Sequence, residues 1–226
     1  MPDPIRVVLE VAAKRSFASA LDWPGWSRSG RSPDEAVSAL VAYAPRYAVV
    51  AARAGLAFDA PRSPADAEVV ERVKGGSGTE FGAPGTAATE EAAPIATGDL
   101  ERLLALLEAA WASFDDAVAR AEGVTLATGP RGGGRSLPKI VAHVRDAEVA
   151  YLSKLGSRSP AAGEEDPSAP MALLRAAFVD ALAAISRGEP VASPSRTQTL
   201  WPARYAVRRT AWHTLDHAWE LEDRSA

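Results

Sequence analysis

The chain has 226 residues, 47% of them hydrophobic and 24% charged, a composition that can supply a well-buried core and is ordinary for a globular protein. A formal net charge of −4 excludes the basic stripe of a nucleic-acid binder. The lack of cysteine excludes disulfides and any protein thiol as nucleophile or ligand. No run approaches the ~20 apolar residues of a membrane helix, and no charged-then-apolar leader opens the chain, so a cytoplasmic protein without membrane contact is expected.

Residues 5–11 form an apolar, β-branched run that predicts a strand, with 16–21 as its hairpin partner. Asp22-Trp23-Pro24-Gly25-Trp26 is turn chemistry carrying two large aromatics. Ser32-Pro33-Asp34-Glu35 then starts a helix, with Ser32 as cap, Pro33 in the first helical position and Glu35 closing a capping box. Val37, Leu40, Val41 and Tyr43 give that helix an apolar face, and it is expected to run on towards Arg53. Residues 67–73 predict a third strand. From 75 to 98 the chain is rich in Gly, Thr, Ala and Pro without a period, which predicts a linker. The glycine-rich pieces at 75–78 and 131–135 lack the lysine and spacing of a phosphate loop and read as flexible connections.

From Asp99 the pattern becomes helical. Leu103, Leu104, Leu107, Trp111 and Phe114 predict a first helix ending near Gly123. Ser136 caps a second, carrying Ile140, Val144, Ala147 and Tyr151 and stopping at Gly156. A third covers 171–185, stopped by Gly188 and Pro190, and a fourth covers 204–222. The expected fold is α+β: a small sheet-plus-helix domain over 1–74, a linker over 75–98 and a four-helix up-down bundle over 99–226.

All three histidines fall in that helical part. His213 and His217 are four residues apart, so they project from one helix face about a turn apart, a spacing suited to gripping one metal. His143 shares its helix side with Ile140, Ala147 and Tyr151 and faces inward. A buried imidazole needs a partner, at a cost of roughly 1–3 kcal/mol if it has none. A shared divalent metal satisfies all three, whereas a hydrogen-bonded core histidine and a surface pair are the plainer alternatives. Glu220, three residues beyond His217, is placed to accept from an imidazole or to act as a further ligand, and Asp216 is a second possible catalytic helper. Arg209, one turn before His213, suits either an anionic substrate group or a salt bridge. Tyr151 suits either an acid near the site or helix packing. Trp212 and Trp219 read as core. Trp23, Trp26 and Trp201, in loops, read as pocket walls or structural plugs.

The segments Lys139-Ile140-Val141-Ala142-His143-Val144 and Trp212-His213-Thr214-Leu215-Asp216-His217 resemble the DinB-like, YfiT-type superfamily, which includes mycothiol-dependent maleylpyruvate isomerases. The resemblance covers a little over half the chain. It implies a three-histidine metal site with open positions, commonly zinc or nickel, and a metal-dependent thiol transferase or isomerase using an external small thiol. Metal-dependent hydrolysis and a non-catalytic regulatory protein with a structural metal are the alternatives. The expected partner is a small-molecule substrate, and a homodimer is left open. More faintly, Val7-Val8-Leu9-Glu10, Asp22-Trp23-Pro24-Gly25 and Ser32-Pro33-Asp34-Glu35-Ala36 resemble HicB-like antitoxin domains, here without a DNA-reading element.

Overall fold

The computed structural model describes residues 4–128, 134–158, 169–189 and 199–225. The glycines at 132–133 and the Pro190 helix stop lie outside them. The fold is α+β. Strands β1 (Ile5–Val11), β2 (Ser16–Ala20), β3 (Ser27–Gly30) and β4 (Ala67–Lys74) make one sheet in the order β3-β2-β1-β4. β1 is antiparallel to β2 and parallel to β4, and β2 is antiparallel to β3. The helices are α1 (Pro33–Ala42), α2 (Ala44–Arg53), the short α3 (Ser77–Phe81), and four long ones: α4 (Thr97–Ala121), α5 (Leu137–Lys154), α6 (Ala169–Ser186) and α7 (Ala203–Ser225).

The start of α1 follows the sequence. The Ser32 hydroxyl accepts from the Glu35 N–H, while the Glu35 carboxylate accepts from the Arg31 N–H rather than from Ser32. The helix does not run through to Arg53. It ends at Tyr43 and a separate α2 begins, because Pro45 lacks an N–H and its ring would collide with the carbonyl four residues earlier. Nothing in Ser27-Arg28-Ser29-Gly30 alternates in polarity, so β3 was not expected; pairing with β2 makes it a strand. Gly30 is needed there, since a Cβ would lie 2.4 Å from the Ala36 nitrogen.

One apolar core joins the two halves of the chain. Ile5, Val7, Leu9, Ala18 and Ala20 of the sheet and Ala36, Leu40, Tyr47 and Val50 of α1 and α2 pack in it with Leu106, Leu107 and Ala110 of α4 and Ala211, Leu215 and Trp219 of α7. Residues 75–98, expected as a linker, pack against this body. Buried Glu10 accepts from the Thr79 hydroxyl and from the N–H groups of Gly85 and Thr86, both at 3.0 Å, and Arg208 bonds Glu91 at 2.6 and 2.8 Å. Two buried charges need these partners, and small residues let the backbone come close enough to supply them.

Paired residues fix the directions of the long helices. Asp99 meets Arg204 near the starts of α4 and α7, and Arg120 meets Glu222 near their ends, so α4 and α7 run parallel. His143 meets His213 while Tyr151 meets Arg209, so α5 runs antiparallel to α7. Asp115 bonds Arg175 at 2.7 Å and Trp111 packs on Phe178, so α6 runs antiparallel to α4 and in the same sense as α5. The strict alternation expected from the sequence is thereby corrected. Residues 155–168 would reach ~45 Å extended, enough to return along an 18-residue helix of ~27 Å, so chain length left either direction open.

Candidate metal centre

The three histidines come from two helices whose positions the core fixes. α7 is buried along most of its length: Trp212 packs edge-on to Phe17 of β2 at 5.9 Å, and Leu215 and Trp219 belong to the core. The 3.6-residue period then turns His213 and His217 towards α5, where Ile140 and Val144 pack against Ala218 and Leu221.

The ligand atoms of His143, His213 and His217 all lie within 4.8 Å of one another. Nε2 of His143 and Nε2 of His213 are 3.2 Å apart. Two imidazole nitrogens bound at 2.0–2.1 Å to one tetrahedral ion would be separated by about 3.3–3.4 Å, so the spacing fits a shared metal. His217 bonds through Nδ1 to Glu220 Oε2 at 2.8 Å, which leaves its Nε2 for the cluster. Glu220 is held in turn by Arg224 at 2.8 Å, and Arg224 Nε donates to the Ala127 carbonyl at 2.8 Å. The His217 hydrogen bond is the largest cause keeping the Glu220 carboxyl below its ordinary range, so it stays an anionic acceptor. Its two oxygens face His217 and Arg224, which makes it a support for a ligand rather than a ligand.

Two of the imidazoles, His213 and His143, are held in the state a metal needs. His213 is 7% exposed, and burial, followed by the charges of His217, Arg209, His143 and Arg135, holds its pKa well below the usual value. Burial and Arg135 lower that of His143. Neutral rings keep a lone pair free for coordination. Nδ1 of His213 is buried without a hydrogen-bond partner among the described residues.

Of the other sequence candidates, Tyr151 and Arg209 are brought to the site and Asp216 is not. The Tyr151 ring stands edge-on to His213 at 5.8 Å and packs on Trp201 at 5.1 Å; burial raises its phenol pKa, so the hydroxyl keeps its proton. The Arg209 guanidinium lies over the rings of Tyr151, at 5.1 Å, and Trp212, at 4.6 Å. Asp216 bonds Arg28 of β3 at 2.8 Å, and Arg28 is stacked on Tyr43 and Trp219. At about 100° per residue, position 216 is roughly 80° round the helix from the midpoint of 213 and 217, which turns it to the sheet. Trp26 is a core plug, stacked on Tyr47 with its indole N–H donating to the Leu40 carbonyl, whereas Trp201 lies beside Tyr151.

Two charged residues of this region were not anticipated. Arg135, just before α5, puts positive charge on His143 and His213. Glu148 on α5 is 1% exposed, accepts from the Thr214 hydroxyl at 3.3 Å and lies 3.7 Å from Arg175 Nε; burial pushes its pKa up to about 7. Its sequence signal was a lone acid in the stripe Ile140, Val144, Leu152. No protein-family model, no curated protein and no solved structure matches the chain.

Proposed function

We propose that this protein is a metal-dependent enzyme of the DinB-like kind, with zinc, or nickel as the second candidate, held by His143, His213 and His217 within a bundle formed by α4–α7. Convergence of three imidazoles, two of them with Nε2 atoms 3.2 Å apart, is the observation that carries the reading. A divalent ion held by these three histidines would supply a Lewis acid able to lower the pKa of a bound water or thiol towards 7. Three neutral ligands leave the ion's charge uncompensated. The Glu220–Arg224 pair holds the His217 ring in one orientation, and the Tyr151 ring stands beside His213 with its hydroxyl proton retained. With no cysteine in the chain, a thiol substrate has to come from solution, and thiol transfer or isomerisation with an external small thiol is the favoured chemistry. The HicB-like part is read as a scaffold for α7, in keeping with its share of the common core.

Metal analysis of the purified protein is expected to find one divalent ion per chain and a large loss in His213→Ala and His217→Ala. In Glu220→Gln the affinity is expected to fall about 10–100-fold, because the imidazole loses its anionic acceptor. Equal metal content in all forms would overturn the site. Cobalt-loaded protein mixed with small thiols should gain a sulfur-to-cobalt charge-transfer band. Its absence at full loading would reject thiol transfer in favour of hydrolysis or a structural metal.

A further inference from the structure

We propose that Arg209 is the anion-recognition residue of this centre, its guanidinium receiving a carboxylate of the molecule that meets the three histidines. The inference rests on the metal-site reading for its location and adds the chemical class of the substrate.

The arginines of α7 supply the comparison. Arg204 pairs with Asp99, Arg208 with Glu91 and Arg224 with Glu220. Arg209 has no carboxylate partner among the described residues, and its Nη1 is buried with no hydrogen bond. A desolvated guanidinium nitrogen without an acceptor is costly, and one kept beside a functional site is explained when a ligand brings the acceptor. The group is nevertheless held in place. Its contacts with the Tyr151 and Trp212 rings, at 5.1 and 4.6 Å, are cation–π contacts that leave the N–H donors unused. Tyr151 is itself in contact with the His213 ring, so a ligand on Arg209 lies next to the histidines.

The balance of charge favours an anion. Arg209 and Arg135 both act on His213, while the carboxylates that act on the cluster are already engaged, Glu220 by His217 and Arg224 and Asp146 by Arg145. A metal would add further positive charge. The planar fork of the guanidinium matches a carboxylate through two parallel hydrogen bonds, and the Trp201–Tyr151 pair offers an apolar, aromatic flank for the remainder of an organic acid.

The test is calorimetric titration with benzoate of wild type, Arg209→Gln and Arg209→Lys, each zinc-loaded and metal-free, with zinc content and circular dichroism measured on the same samples. Wild type should bind benzoate, Arg209→Gln should bind at least tenfold more weakly, and Arg209→Lys should fall between, because an ammonium keeps the charge but not the fork. Zinc content and helicity should not change. No binding by wild type, or equal binding by wild type and Arg209→Gln, would overturn the proposal. Full binding by Arg209→Lys would overturn the two-bond fork, showing that positive charge alone suffices at this position. Failure to load zinc would fall on the metal reading instead, since the metal-free titrations report on Arg209 by themselves.

Discussion

Glu148 shows how much a single residue can set the response of this molecule to pH. The unfolded carboxyl titrates near 4.5, the folded one at about 7, and the difference comes first from burial. Between those values the folded state binds more protons than the unfolded state, so the contribution of Glu148 is fully present below pH 4.5 and is lost as pH rises through 7. Glu148→Gln removes the titration and keeps an acceptor for Thr214, while Arg175 retains Asp115. The stability of the variant relative to wild type should therefore rise by about 2 kcal/mol between pH 5 and pH 8. Denaturant unfolding at the two pH values measures it, and a constant difference would show that Glu148 is ionised at both. At this scale the grouping of the candidate ligands was legible, because helical spacing alone places 213 and 217 on one face. The partner of Asp216 and the lack of one at Arg209 were not, since both depend on what β3, α4 and α5 bring to α7.

Among the elements, the turn between β2 and β3 has a precise packing requirement. Gly25 has φ +96°, a backbone conformation that side chains disfavour, and a Cβ there would lie 2.8 Å from Leu215 Cδ1 and 3.1 Å from Ala211 Cβ. Gly25→Ala should destabilise the protein by about 2 kcal/mol or more through strain and overpacking together. It should also weaken any metal binding at the candidate site, because pressure on Leu215, on the opposite face of α7, displaces the helix that carries His213 and His217. Thermal unfolding and metal titration of the variant check the two effects, and an unchanged melting temperature would contradict the close contact. Strands β1, β2 and β4 and all four long helices follow from apolar runs and periodicity. The division between α1 and α2 needed Pro45 to be weighed above the apolar pattern. The shared direction of α5 and α6 could not be read at all, because tertiary pairing decides it and the connection is long enough for either choice.

At the scale of the whole molecule, α7 touches both the sheet, through Trp212 on Phe17, and helices α4 and α5, and the Arg28–Asp216 pair joins positions 188 residues apart. The entropy of closing so long a loop grows only slowly, by about 0.6 kcal/mol per doubling of length, so the native state tolerates it. The cost appears in time rather than in equilibrium. Proteins dominated by distant contacts fold orders of magnitude more slowly than those built from neighbouring helices, because much of the search comes before the reward. Refolding followed by far-ultraviolet circular dichroism should show helix appearing early, while the fluorescence of Trp212 and Trp219, which pack against Phe17 and Tyr43, should reach its native value only in a later phase. Coincident single-exponential traces would contradict that order. Any metal held by the three histidines should be captured only once α5 and α7 have paired, since His143 lies on one helix and His213 and His217 on the other.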